Sequence, residues 1–369
     1  MNLARSLRVA VLSICIVLAY GVDAFAKRKG GKGGGQGGAK IDRAADDFPH
    51  IDINGDHKIS RKEWIRRGNF DLLDRNGDGF LTIDELRVLY EGHNKKSYTW
   101  NPDNGPRGRD GSRDKSAPTA EIPIEKISEY VACAIGRPKS CDAAASIERG
   151  LIATGLGPRF SNRALCPGID DYWAMSYGFK RTRESYHGGL DIPVPWGTPM
   201  LAAAAGTVVA KFEGLKSARG KEVVLRHSPE DTGLPMWVYT SYGHLDALPE
   251  DLEIGGRVGL GEYLGPTGNS GVSGMNKDKQ SKRRRPAIHF VAVYSDDPHY
   301  ARGRSVIIPK DGWWMDPVAL YRPQGPYDSA SMKALPEGRK FVDIPVMFKD
   351  GALLPADTKL IWPYACKTR

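Results

Sequence analysis

Residues 187–208 read HGGLDIPVPWGTPMLAAAAGTV, and the reading of this stretch decides the fold. Short apolar and β-branched runs alternate with Gly and Pro, a pattern of strands broken by turns rather than of helix. The same punctuation continues to about Arg322. Its clearest strands are expected at Thr207–Phe212, Glu222–Arg226, Met236–Tyr242 and Ile288–Tyr294. From Glu121 to about Arg149 the pattern is helical, and Phe341–Trp362 reads as a β-hairpin turning at Lys349-Asp350-Gly351.

His187 and Asp191 stand four residues apart, a spacing that puts both side chains on one side of an extended chain. His289 lies in the alternating strand Ala287-Ile288-His289-Phe290-Val291. Two neutral imidazoles and one carboxylate are a zinc-binding set that leaves a coordination position open. Zinc held there activates water and polarises a scissile carbonyl. His244, in Tyr242-Gly243-His244-Leu245, is the candidate for proton transfer or oxyanion stabilisation. His227, His50, His93 and His299 stand outside this set.

The motifs occur in the order His187-Gly-Gly-Leu-Asp191-Ile192, Pro195-Trp-Gly197-Thr198-Pro199 and Ala204-Ala-Gly206-Thr207-Val208. Tyr242-Gly-His244-Leu245, Gly265-Pro-Thr267-Gly268-Asn-Ser270, Ile288-His289-Phe290 and Asp316-Pro317 follow, with Ser176-Tyr-Gly178 upstream. This series resembles the lysostaphin/LytM-type zinc endopeptidases over residues 176–320. The resemblance implies a mainly antiparallel β fold with a groove over the metal. It implies His187, Asp191 and His289 as zinc ligands, His244 as a catalytic-site histidine, and hydrolysis of peptide bonds in peptidoglycan cross-links or stems. The sequence departs from the family at two places. The family's His-x-His begins here with Ala287, removing a residue that stands beside the zinc water, and Met275–Pro286 adds Lys277, Lys279, Lys282, Arg283, Arg284 and Arg285. The bland reading of that basic run is a solvated loop; the sharper one is a grip on an anionic wall polymer or a cation replacing the lost histidine.

Upstream, two twelve-residue loops repeat one another. Asp52, Asn54, Asp56, Ser60 and Glu63 fall at positions 1, 3, 5, 9 and 12 of the first, and Asp74, Asn76, Asp78, Thr82 and Glu85 at those of the second. Lys58 and Phe80 hold position 7, where a main-chain carbonyl serves. Clustered hard oxygens with a terminal Glu suit Ca2+, and the arrangement resembles the EF-hand family. Ile59 and Leu81 at position 8 are expected to join the loops through a short β contact. Position 6 is Gly79 in the second loop but His57 in the first, which must make the turn with a Cβ and is expected to bind more weakly. Up to two Ca2+ and one Zn2+ are the expected cofactors.

The chain has 369 residues, with 53 basic and 44 acidic side chains and a net charge of +9. That excess suits polyanionic surroundings without requiring nucleic acid, and no nucleic-acid partner is expected. Arg5 and Arg8, the apolar run Val9–Val22 and Ala24-Phe25-Ala26 read as a signal peptide over 1–26. No stable membrane anchor is expected after its cleavage. Residues 27–40 are a basic Gly-rich linker whose G-x-G-x-x-G is compositional, since no strand precedes it. The expected order is then an EF-hand pair at 41–92, a linker at 93–120, the zinc-peptidase domain with a helical extension at 121–325, and a hairpin tail at 326–369. The fold class is α+β, a mainly antiparallel β domain behind a small helical pair.

Cys133, Cys141, Cys166 and Cys366 remain after cleavage, an even number that suits an oxidising compartment. Cys133 and Cys141 flank the Gly136/Pro138 turn and could close a small loop, leaving Cys166 and Cys366 to tie down the tail. Four cysteines allow three pairings, and a four-cysteine zinc site lacks the usual C-x-x-C spacing. The expected protein is a periplasmic or secreted zinc metalloendopeptidase acting on peptidoglycan peptides. The alternative is a catalytically impaired relative that binds wall or regulates a partner hydrolase, which Ala287 favours.

Overall fold

The computed structural model describes residues 45, 48–49, 51–64, 70, 74, 78–86, 120–166, 177–178, 186–214, 217–271 and 286–369. The expected signal peptide, the linkers at 27–40 and 93–120 save Ala120, Asn76 and the basic run 277–285 lie outside the described residues.

In the N-terminal loops, β1 (Ile59–Ser60) pairs antiparallel with β2 (Phe80–Leu81), and Ile59 lies opposite Leu81 as the shared position 8 requires. Ile59 and Leu81 are fully buried with Phe48, Ile51, Trp64, Phe70 and Leu86 in a core of their own. The Asp52 carboxylate accepts from the main-chain N–H of Gly55, Asp56 and His57 at 2.8–3.2 Å. The Glu63 carboxylate accepts from Ser60 N at 2.8 Å and reaches back to Ile53 N at 3.1 Å, closing the loop end to end. Asp74 and Glu85 repeat this, accepting from Gly79 N at 2.9 Å and Thr82 N at 2.8 Å. His57 takes a φ of +62°, the strained turn its position demands, where Gly79 takes +83°.

The larger body begins with two short helices, α1 (Glu129–Gly136) and α2 (Ala143–Glu148). The Ser128 and Asp142 side chains cap them, accepting from Val131 N and Ala144 N. A Cys133–Cys141 disulfide joins α1 to the turn that precedes α2. Two short strands follow, β3 (Gly157–Arg159) and β4 (Ala164–Leu165). Then come β5 (Leu190–Pro193), β6 (Pro199–Leu201), β7 (Gly206–Phe212), β8 (Lys221–His227), β9 (Trp237–Leu245), β10 (Arg257–Val258), β11 (Tyr263–Pro266) and β12 (Ala287–Ser295). The hairpin β13 (Tyr300–Arg302) and β14 (Ile307–Pro309) precedes β15 (Trp313–Met315).

Seven of these strands form one antiparallel sheet in the order β10-β7-β8-β9-β12-β15, with β5 also on β12. β12 is its axis: β9 runs along one edge, while β5 and β15 share the other. Both faces of β12 are buried, so it reads as a continuous apolar run with His289 set into it. Ile288, Phe290 and Ala292 point to one face, and His289, Val291 and Val293 to the other. The four strands expected from sequence correspond to β7, β8, β9 and β12 with ends shifted by at most a few residues.

The C-terminal segment departs from the hairpin expected over Phe341–Trp362. The turn is where the sequence puts it, with Gly351 N donating to Phe348 O at 2.9 Å, but it joins only β17 (Val346–Met347) and β18 (Leu353–Leu354). β16 (Phe341–Asp343) instead pairs parallel with β3, and β19 (Lys367–Thr368) pairs with β4. Pro345 and Pro355 interrupt the run, and each removes a donor the long ladder would need. Val342, Ile344, Val346, Trp362 and Tyr364 belong to the same core as Phe290 and Leu225, and a Cys166–Cys366 disulfide fastens them. Among the described residues no helix is long and apolar enough to cross a membrane.

His227, at the end of β8, is fully buried and structural. Its Nδ1 lies 2.6 Å from the Ala205 carbonyl and its Nε2 2.7 Å from the Thr240 hydroxyl. Burial lowers its pKa from the ordinary 6.5 to about 4, only partly offset by the Ala205 carbonyl. The unfolded chain therefore takes up this proton first as pH falls, so stability present above pH 6.5 drains away on the way to pH 4. Denaturant titrations from pH 7 to 4 are expected to lose on the order of 3 kcal/mol through this group. His227→Gln should flatten that part of the profile; an equally steep profile in the variant would contradict the assignment.

Candidate functional site

At the edge where β5 and β9 flank β12, three side chains meet. His289 is the direct cross-strand partner of Asp191 on one side and of Gly243 on the other. His289 Nδ1 lies 2.8 Å from Asp191 Oδ1, and His187 Nε2 lies 3.4 Å from the same oxygen. The two imidazole rings are 4.9 Å apart. Among the described residues, His187, Asp191 and His289 form a cluster able to hold a metal ion, with one ligand atom from each within 4.8 Å of the others. Ligands about a tetrahedral zinc with bonds of ~2.0–2.1 Å stand roughly 3.3 Å apart, and the approaches of the two imidazoles to Asp191 Oδ1, 2.8 and 3.4 Å, lie near that spacing, so the donor set suits that ion.

The electrostatics agree with the geometry. Burial raises the Asp191 carboxyl, but His187 and His289 outweigh it and hold the group well below the carboxylate range. Burial lowers His289 to about 4, against the opposing pull of Asp191. At neutral pH the pocket thus presents one anion and a neutral imidazole, the protonation states that metal binding needs.

Sequence alternation places His187 and Asp191 together for a reason the structure corrects. His187 lies outside β5, and Gly188 at φ +81° turns the chain between them. Gly189 is required by a close approach: a Cβ there would stand 2.8 Å from His289 Cε1 and 3.0 Å from the Phe290 carbonyl.

His244 joins the cluster through a defect in β9. Strict alternation from Gly243 would send it to the opposite face from His289. Residues 243 and 244 stand against Glu222 alone, a bulge between the pairs Val223–Tyr242 and Lys221–Leu245. His244 takes a φ of +66°, held by N–H donation to Arg219 O at 2.7 Å and by its carbonyl accepting from Gly268 N at 2.9 Å. Its Nδ1 donates to the Ser270 carbonyl at 2.9 Å, so its Nε2 carries the lone pair. That nitrogen lies 3.9 Å from Asp191 Oδ1, and the ring is 5.4 Å from that of His289. Ala287 points to the same face as His289, two residues earlier, and offers only a methyl.

Sequence reasoning missed the groups behind this cluster. Arg219 donates to the buried Glu222 carboxylate at 2.9 Å, and the Ser241 hydroxyl donates to the same carboxylate. Burial pushes the Glu222 carboxyl up and Arg219 pulls it back. Arg219, Ser241, Tyr239, Val291, Val293 and Trp314 line a small cavity on the His289 face of the sheet. Arg137 donates to the carbonyls of Tyr186 at 2.6 Å and His187 at 3.1 Å. Bonds to main-chain carbonyls leave no residue-type signature, so nothing in the sequence points to them.

Residues 185–300, which contain all four site residues, match the model of peptidase family M23. The chain carries an M23 domain. Residues 70–90, spanning the second calcium-type loop, match the EF-hand model. The DD-carboxypeptidase/endopeptidase Mpg of Neisseria meningitidis serogroup B is 36% identical over 112 residues, 30% of this chain. Those residues span only 21% of the length of that curated relative. Among solved structures, a mutant catalytic domain of the prophage-encoded M23 protein EnpA from Enterococcus faecalis is 22% identical, covering 41% of this chain and 93% of that one at a TM-score of 0.26. The lysostaphin catalytic domain from Staphylococcus simulans is 21% identical, covering 33% and 77% at a TM-score of 0.25. The M23 match takes in the antiparallel sheet around β12 except β15, which lies beyond residue 300.

Gly189→Ala is expected to push His289 off Asp191. Zinc affinity, measured by competition with a chelating dye, should fall roughly 10–100-fold, and parent-like affinity would contradict the packing argument.

Proposed function

We propose that this protein is an exported zinc metallopeptidase that hydrolyses peptide bonds in peptidoglycan cross-links or stems. The observation that carries the reading is the convergence of His187 and His289 on one carboxylate oxygen of Asp191, inside the M23 match, with His244 beside them. His187, Asp191 and His289 would hold the zinc, whose Lewis acidity activates water and polarises the scissile carbonyl. His244 Nε2 accepts a proton or donates one to the reacting oxygen, because Nδ1 is committed to Ser270 O and fixes the ring. The disulfides and the wall-peptidase family favour a periplasmic or extracellular site of action, in line with the signal peptide read at 1–26.

A second reading has one specific observation behind it. Ala287 places a methyl where the resemblance puts a histidine, and a domain so altered would bind wall peptides or regulate a partner hydrolase. The N-terminal loops are read as calcium sites: Asp52, Asn54, Asp56, Lys58, Ser60 and Glu63 in one, and Asp74, Asn76, Asp78, Phe80, Thr82 and Glu85 in the other. Their Asp and Glu carboxylates already gather main-chain N–H groups around the loop centres, which favours a structural role for bound calcium.

Purified cross-linked muropeptides, incubated with the protein and zinc, should yield new fragments by mass spectrometry that His187→Ala fails to make. His244→Ala should lower the rate by ~10²–10⁴-fold while leaving zinc bound. Intact substrate with the zinc-loaded parent would favour the wall-binding reading instead. For the calcium loops, His57→Gly should remove the cost of a left-handed residue with a Cβ, ~1–2 kcal/mol, and tighten calcium binding by up to roughly 5–30-fold by calorimetry. Unchanged affinity would mean that φ at His57 does not limit that loop.

A further inference from the structure

Two of the three converging side chains take their places from the sheet, and the third does not. Asp191 on β5 and His289 on β12 are cross-strand partners, so the ladder sets their separation. His187 precedes β5, on the far side of Gly188, and its main chain is tied down from elsewhere. Beside a bond from Gly188 N to the Tyr177 carbonyl at 3.3 Å, Arg137 supplies two ties: one guanidinium nitrogen donates to the His187 carbonyl at 3.1 Å and the other to the Tyr186 carbonyl at 2.6 Å.

We infer that Arg137, outside the M23 match, is a positioning residue that holds His187 at the bond-forming distance from Asp191 and His289. The inference rests on the reading of those three side chains as a metal centre. Arg137 suits the task because its planar fork presents two donors in fixed relation to two successive carbonyls, which an ammonium cannot do.

Arg137 is itself held from four directions. It is the residue that ends α1, with φ +51° and its own N–H donated to Cys133 O at 3.0 Å. The Cys133–Cys141 disulfide closes the loop in which it sits. The Trp314 ring packs 5.7 Å from the guanidinium, and the Trp314 indole N–H donates to Ala134 O at 2.9 Å, anchoring the same helix end. Gly188 permits the close approach, since a Cβ there would stand 2.9 Å from Arg137 Nη1 and 3.2 Å from Trp314. Burial, with the Arg219 charge adding to it, lowers the Arg137 pKa to about 10, which leaves the cation intact at neutral pH. The helical extension therefore clamps the candidate metal ligand that lies outside β5. A ligand displaced by a fraction of an ångström loses its bond, so support of this kind normally shows in metal affinity.

The experiment compares zinc dissociation constants of the parent, Arg137→Ala and Arg137→Lys by chelator competition at 25 °C, with thermal unfolding of each metal-free protein alongside. Arg137→Ala is expected to bind zinc roughly 10–100-fold more weakly while still folded, and Arg137→Lys, keeping one donor bond, to fall between it and the parent. A merely structural role would lower the unfolding temperature and leave zinc affinity at the parent value in both variants, which overturns the inference. If Arg137→Ala does not fold, the Lys variant decides on the same criterion. A parent that binds zinc yet cuts no muropeptide overturns the peptidase reading alone, and equal affinities across the series overturn the role of Arg137 alone.

Discussion

The register of one strand pair governs everything else at the site. Asp191 on β5 and His289 on β12 face each other across the sheet, and His289 faces Gly243 on its other side. A slip of one residue in either ladder would turn His289 to the face that Ile288 and Phe290 now occupy and dissolve the cluster. That register is protected because the two buried faces of β12 have different surroundings: a slip would set His289 among apolar side chains and apolar ones against Asp191. The Tyr242 and Phe290 rings, 5.3 Å apart, lock the same pairing from behind.

Within that frame the site is assembled from departures from regularity. Gly188 bends the chain ahead of β5, Gly189 clears room for the His289 ring, and the bulge at His244 swings a third imidazole to the working face. The two buried carboxylates here have partners: Asp191 is surrounded by imidazoles, and one Glu222 oxygen is met by Arg219 and Ser241. Charge removed from water in this way is tolerable only with such partners, which ties the chemistry of the site to the folding of the sheet beneath it.

Much of the architecture was legible in the sequence, for a definite reason. Val223, Leu225, Val238, Ile288 and Phe290 advertise strands because burial demands apolar side chains at regular intervals, and the motif order around His187, Asp191, His244 and His289 marked the cluster. The loops at Asp52 and Asp74 were legible because a twelve-residue spacing of oxygens is hard to produce otherwise. What escaped was whatever acts through the main chain. The bulge that aims His244, the Arg137 bonds to two carbonyls and the parallel pairing of β16 with β3 depend on backbone positions, to which side-chain identity gives little clue. The hairpin expected at the C-terminus failed beyond its turn because Pro345 and Pro355 cut the ladders short.

The Cys166–Cys366 bond joins residues 200 apart in sequence, so the entire M23 domain lies within a single covalent ring. Cutting the backbone once anywhere between those cysteines yields no free fragment; the two pieces stay tethered through sulfur. Each remains at high effective concentration beside the other, and the sheet can close again without a bimolecular search. Resistance to nicking is thereby divided between chain and sulfur: a protease acting alone opens the ring, and release of a piece requires either a second cut or a reductant.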